Sequence, residues 1–218
     1  MERKSITFIN KNSKYLLLQC IEEHDEALLQ NEYNYILKHA DVPFSLVAIR
    51  INDWNSELSP WKAPAVFGNQ KFGSGAAETL RYITEKLLPQ LINDYYIGNE
   101  QKLIIGGYSL SALFALWCGY NTDIFYGVAA ASPSVWFNGW IDFARDNTFH
   151  ADKVYLSLGD KEEKTRNQIM STVGENIKLQ EQIFKDKGIP CTLEWNEGNH
   201  FKDSDIRTAK AFLGLMKL

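Results

Sequence analysis

The sequence predicts an α/β fold, a doubly wound and mostly parallel sheet with helices on both faces. Short apolar runs alternate along the chain with longer segments whose apolar residues recur at helical spacing. Strands that alternate with helices imply crossover connections, hence parallel pairing with both sheet faces covered. The 218 residues, 45% of them apolar, suffice for one sizeable core. We therefore expect a single domain over 1–218, and find no linker, internal repeat or low-complexity segment to divide it.

The elements follow in order. A charged N-terminus runs into a short strand, and 15–20 (Tyr-Leu-Leu-Leu-Gln-Cys) reads as a buried strand. A helix over 26–40 carries Leu28, Leu29, Tyr33, Ile36 and Leu37 at helical spacing. The next strand, 44–51, is rich in apolar and β-branched residues. Residues 52–75 form a long irregular stretch with two prolines, two tryptophans and three glycines. The helix over 76–96 presents Leu80, Ile83, Leu87, Leu88 and Leu91 on one face, and Pro89 inside it must kink or divide it. Strands at 102–106, 125–131, 154–158 and 191–195 follow, with helices at 112–120, 168–187 and 204–216.

Composition excludes several classes of function. The net charge of −4, with no basic block, argues against a nucleic-acid partner. No apolar run is long enough to span a bilayer, and the N-terminus has no signal-peptide core, so we expect a cytoplasmic protein with no membrane partner. The three cysteines (Cys20, Cys118 and Cys191) sit in apolar contexts and read as buried free thiols. No C-x-x-C or H-E-x-x-H spacing suggests a metal, and no cofactor is expected.

The chemistry is concentrated at 103–111, Leu-Ile-Ile-Gly-Gly-Tyr-Ser-Leu-Ser. An apolar strand, a tight turn with a serine at its tip and a helix make the layout of a nucleophile elbow, G-x-S-x-G, with Ser111 in place of the last glycine. Ser111 is small enough to let the helix pack against the strand. A serine hydroxyl needs a base to take its proton and a third group to orient that base. His200, just beyond the strand 191–195, is the candidate base. His39 and His150 need no function, and His24 reads as a structural or surface residue.

The acid should lie between Ser109 and His200, where one strand ends in Gly159-Asp160-Lys161-Glu162-Glu163. Thr165 to Gln168 resembles a capping box, which leaves 160–164 on a loop. Glu162 is the favoured acid, with Asp160, Glu163 or no acid as the alternatives. The backbone amide of Leu110 is the expected first oxyanion donor, and Ile21 or Glu22, after the strand 15–20, the second. Trp54, Trp61, Trp136 and Trp140 follow strand ends in Pro- and Asn-rich segments. Trp54 and Trp136 are the expected substrate-binding residues.

Three segments, in order, resemble one family. The run 106–115, Gly-Gly-Tyr-Ser-Leu-Ser-Ala-Leu-Phe-Ala, resembles the elbow of the esterase D and enterochelin-esterase-like branch of the α/β-hydrolases. Ala131-Ser132-Pro133-Ser134-Val135-Trp136 resembles its Ser-Pro-Ser-x-Trp segment, and Gly198-Asn199-His200-Phe201 its histidine loop. The stretch 53–68 is similar to a feature of small bacterial members. The resemblance implies the α/β-hydrolase fold and hydrolysis of a small-molecule acyl ester through an acyl-enzyme, with Ser109 and His200 in their usual roles. Branch members act on formylglutathione, siderophore lactones, feruloylated sugars and other acyl esters. The chain departs from the branch at Ser111 and at Gln19-Cys20, where His-Gly is usual. Its length leaves only 52–75 and 137–149 to cover the site, so no large lid is expected. An acyltransferase using the same acyl-enzyme, or a non-catalytic binding protein of this fold, are the alternative functions.

Overall fold

The computed structural model describes residues 3–95 and 100–216. Its centre is a seven-stranded sheet in the order β1-β3-β2-β4-β5-β6-β7. The strands are β1 (Ser5–Phe8), β2 (Tyr15–Ile21), β3 (Phe44–Arg50), β4 (Lys102–Tyr108), β5 (Gly127–Ala131), β6 (Lys153–Gly159) and β7 (Cys191–Asn196). Only the edge strand β1 runs antiparallel, paired with β3, and every other pairing is parallel. The sheet interior is buried on both faces, which is why β2 and β3 read as unbroken apolar runs rather than as alternating patterns.

The helices are α1 (Glu26–His39), α2 (Trp54–Glu57), α3 (Ala76–Tyr82), α4 (Leu88–Tyr95), α5 (Leu110–Asn121), α6 (Trp140–Asp146), α7 (Val173–Asp186) and α8 (Ser204–Met216). Leu29 and Ile36 of α1 and Phe212 and Leu215 of α8 pack on one face of the sheet with Leu17, Leu46 and Ile104. Leu80 of α3, Phe114 of α5, Trp140 of α6 and Phe184 of α7 belong to the core on the other face. After β3 the chain crosses from one side of β2 to the other and enters β4. This switch of direction opens a crevice at the carboxyl ends of β2 and β4, where ligands of such sheets bind.

Pro89 divides its helix as expected: a π-helical turn, Ile83–Leu87, separates α3 from α4. A wide turn relieves the clash between a proline ring and the carbonyl one turn back. The expected last residue of that helix, Tyr96, lies outside the described residues. The helix expected from 168 begins later, at Val173. Asn167 is the reason, because its Oδ1 accepts the amides of Ile169 and Met170 and holds the chain in a separate turn. Thr165 therefore caps no helix; its Oγ1 accepts the Asn167 amide, at 3.3 Å. The stretch 52–75 is folded down rather than raised as a lid. It contains α2, a bridge between Ala63 and Phe72, and amides of Gly73 and Gly75 bonded to the carbonyls of Asn55 and Ser56. Cys20 and Cys118 are buried and Cys191 half-buried, all as free thiols. Among the described residues no helix is long and apolar enough to cross a membrane.

One buried acid belongs to the fold. Glu32 of α1 is buried against Gln19 of β2, whose Nε2 donates to Oε1 at 2.9 Å. Burial, with a smaller contribution from Asp205 and Asp25, pushes its carboxyl up to about 8 against the opposing Gln19 hydrogen bond. Between the ordinary value of 4.5 and about 8 the folded state holds a proton that the unfolded chain releases, so this group costs stability as pH rises through that window. Glu32→Gln is therefore expected to stabilise the protein at pH 8 by roughly 1–3 kcal/mol. The gain should shrink towards pH 5, and urea denaturation at both pH values checks it.

Candidate active site

β4 runs two residues further than expected, to Tyr108, and turns into α5 through Ser109. Ser109 has φ 58° and ψ −120°, a backbone conformation that a residue with a side chain adopts at a cost of about 1–3 kcal/mol. Its amide donates to the Ala131 carbonyl, while its own carbonyl accepts from Leu113 and Ser134, so the turn is held from both sides. Gly107 makes the turn possible. It lies at φ +154°, and a Cβ there would sit 2.1 Å from Ser111 Oγ. Ser111 thus fills the space that opens beside Gly107, the packing role expected for a small residue in place of the last elbow glycine.

His200 reaches Ser109 from the loop between β7 and α8. Its Nε2 lies 3.0 Å from Ser109 Oγ and its Nδ1 2.6 Å from Glu162 Oε2. The loop is fixed at several points. Asp160 Oδ1 accepts the Gly198 amide at 2.7 Å, Gly198 supplies a φ of +111°, and Tyr108 donates its hydroxyl to the His200 carbonyl at 2.8 Å. That amide hydrogen bond also holds the Asp160 carboxyl below its ordinary value. Asp160 positions the histidine loop and does not touch the imidazole. Glu163 is exposed and lies against Gly174, at the start of α7.

Glu162 opens a short 3-10 turn, Glu162–Lys164, and is buried. Its Oε1 accepts from Ser132 Oγ at 2.6 Å, from the Gly159 amide at 2.7 Å and from Arg207 Nη1 at 2.9 Å. Burial alone would push this carboxyl up. The hydrogen bond and charge of His200, followed by the Ser132 and Gly159 donors, outweigh burial and hold it below its ordinary value. The arrangement keeps a carboxylate facing Nδ1 and leaves Nε2 facing the Ser109 hydroxyl.

The sequence profile of one family, described as "Putative esterase", matches residues 25–198. The chain belongs to this esterase family. The match includes Ser109 and Glu162 and ends two residues before His200. Solved structures share the fold. An IroE-like serine hydrolase from Shewanella oneidensis superposes with a TM-score of 0.76 at 14% identity, over 98% of this chain and 75% of that one. The siderophore hydrolase EstB from Aspergillus nidulans gives 0.75 at 15% identity, over 95% and 84% of the two chains. The enterobactin and salmochelin hydrolase IroE gives 0.71 at 13%, over 100% and 95%. No curated protein matches in sequence. The chain is thus an ester-hydrolase family member with the α/β-hydrolase fold.

Several site residues of this esterase differ from expectation. Arg207, Ser132, Ser134 and Tyr108 had no assigned role. Arg207 is 2% exposed and also donates to Tyr108 Oη at 3.1 Å and to the Glu197 carbonyl at 3.0 Å. A signal existed, because Arg207 shares its helix face with Ala211 and Leu215 at i+4 and i+8, a stripe that is otherwise apolar. Ser134 Oγ lies 3.4 Å from Ser109 Oγ. Ser132, like Ser109, has a positive φ without being glycine, 47°.

The expected second oxyanion donor does not fit. The Ile21 carbonyl accepts the Ile51 amide just beyond β3. In an extended strand a residue's N–H and C=O point to the same side, so the Ile21 amide also faces β3, away from β4 and Ser109. The Glu22 amide is engaged as well, donating to Asp25 Oδ2 at 3.0 Å. Leu110 is the first residue of α5, so its amide has no carbonyl within the helix to bond. Trp136 is not open to a substrate; it is buried with its ring against Phe72. Trp140 is core, its Nε1 satisfied by Gln180. Trp61 donates to the Asn138 carbonyl and lies among Phe137, Trp140 and Phe143, and Trp54 is half-buried against the same core. Aromatic rings on neighbouring loops gain more by covering one another than by lining an open cleft. His24 is exposed beside Glu22 and Asp25, His39 bonds the Tyr35 carbonyl, and His150 is exposed. Among the described residues no group of three or more His, Cys, Asp or Glu is arranged to hold a metal.

Proposed function

We propose that this esterase hydrolyses a small acyl ester through an acyl-enzyme formed on Ser109. The observation that carries the reading is the continuous chain from Ser109 Oγ through His200, at 3.0 Å, to Glu162, at 2.6 Å. Ser109 Oγ attacks the ester carbonyl while His200 Nε2 takes its proton. The tetrahedral oxyanion is met by the Leu110 amide, aided by the positive end of α5. His200 then returns the proton to the departing alcohol, leaving the acyl group on Ser109. Water enters, gives a proton to the same nitrogen and attacks the acyl carbon; His200 then passes that proton to Ser109 Oγ as the acid departs, restoring the serine. Glu162 holds the imidazole in the required tautomer and offsets its transient positive charge.

The siderophore-hydrolase names of the similar structures support an ester as the substrate. A fluorophosphonate probe tests the reading, because it reacts with an activated serine. We expect one adduct, located on Ser109 by peptide mass spectrometry. A protein that stays unlabelled where a reference serine hydrolase reacts would overturn it.

A further inference from the structure

The histidine loop carries a feature that the reaction leaves unexplained. Phe201, directly after His200, is 89% exposed, whereas Leu37, among the most exposed of the other large apolar side chains, is 56% exposed. Its backbone is not loose. The Phe201 amide donates to Asn199 Oδ1 at 3.0 Å and the Lys202 amide to the Asn199 carbonyl at 3.3 Å, which closes a tight turn. Asp203, at φ 54°, then directs the chain into α8. A fixed turn therefore holds an aromatic ring in water, edge-to-face with the His200 imidazole, the two centroids 5.7 Å apart. The Tyr108 ring also lies near the imidazole, tilted, with the centroids 5.1 Å apart.

The chemistry says what belongs beside that ring. His200 Nε2 must hand its proton to the departing alcohol, so the alcohol oxygen has to come within about 3 Å of this nitrogen. The acyl half of the ester is bound to Ser109, and the alcohol half must lie over His200. A substituent on that alcohol extends beyond the imidazole, and Phe201 is the exposed ring that contacts that imidazole.

We propose that Phe201 is the contact for the leaving alcohol, and that it favours esters of aryl alcohols over those of small alkyl alcohols. This rests on the acyl-enzyme reading and adds the half of the substrate which that reading leaves open. An exposed ring loses its water contact when an aryl group covers it, and aromatic pairs prefer the offset or edge-to-face packing that an unobstructed ring allows.

The experiment compares phenyl acetate with methyl acetate, so that both pass through the same acetyl-enzyme. In Phe201→Ala the ratio of kcat/KM for phenyl to methyl acetate should fall about tenfold, the worth of one aromatic contact, while Phe201→Tyr keeps the ratio. Hydrolysis of the shared acetyl-enzyme, in which no alcohol remains, should proceed at one rate in all three proteins. An unchanged ratio in Phe201→Ala, or an equal loss on both esters, overturns the proposal. Fluorophosphonate labelling separates the two readings. If Ser109 labels and the ratio does not move, only the Phe201 proposal fails; if Ser109 does not label, both fail.

Discussion

Ser109→Ala should lower kcat on a short acyl ester by on the order of 10⁴-fold or more, because in the proposed reaction it removes the nucleophile and with it the acyl-enzyme route. Its fold should be nearly untouched. Among the described residues the hydroxyl makes two hydrogen-bond contacts, at 3.0 Å to His200 and 3.4 Å to Ser134, and the turn is held by backbone bonds that alanine keeps. Ser109→Gly is the informative companion. The backbone at φ 58° and ψ −120° is one that glycine adopts freely and serine does not. Ser109→Gly should therefore be as inactive as Ser109→Ala and yet more stable than the wild type, by about 1 kcal/mol. Thermal melts beside the ester assay check both halves. A wild-type rate in Ser109→Ala would remove Ser109 from the reaction, and equal stability of Ser109→Gly and wild type would remove the strain from the elbow.

The fold was legible in the sequence because its signals are local. Apolar strands, helical spacing and Pro89 each act within a few residues, and the expected element ends moved by only a few positions, except where the side chain of Asn167 delayed the start of α7; the short helices α2 and α6 were not anticipated. That Ser109, His200 and Glu162 would lie together was also legible, since strand ends in a parallel sheet gather at one edge. What could not be read were contacts between distant segments. Arg207 meets Glu162 across 45 residues, and Ser132 meets it across 30. The burial of Trp136 could not be read for the same reason: a ring after a strand end can face a cleft or another ring, and local sequence does not distinguish the two. Ile21 failed on register. The strand continued one residue past Cys20, and that residue turned its amide to β3.

Glu162→Gln should damage activity and stability together, and the Arg207 contact allows the two losses to be separated. Against His200 Nδ1 the amide offers a donor or a weaker acceptor, so the imidazole is no longer held with its proton on that nitrogen. A kcat loss on the order of 10⁴-fold is expected from the wrong tautomer. Stability falls because Arg207, 2% exposed, loses its counter-charge, while Tyr108, Ser132 and the Glu197 carbonyl, neutral acceptors, remain. Removing one partner of a buried pair costs about 3–5 kcal/mol. Arg207→Met costs less, since Glu162 still has His200, Ser132 and Gly159. In the double variant neither charge remains, so much of the stability should return while activity stays lost. The pH dependence has a fixed sign. Because the folded Glu162 carboxyl sits below its ordinary value of 4.5, the unfolded chain binds more protons there and stability rises with pH through that window. The deficit of Glu162→Gln should be full at neutral pH and narrow as pH falls below 4.5 towards the folded value. A deficit that is constant from pH 7 to pH 3, or a double variant less stable than Glu162→Gln alone, would show that Arg207 is not held by this charge.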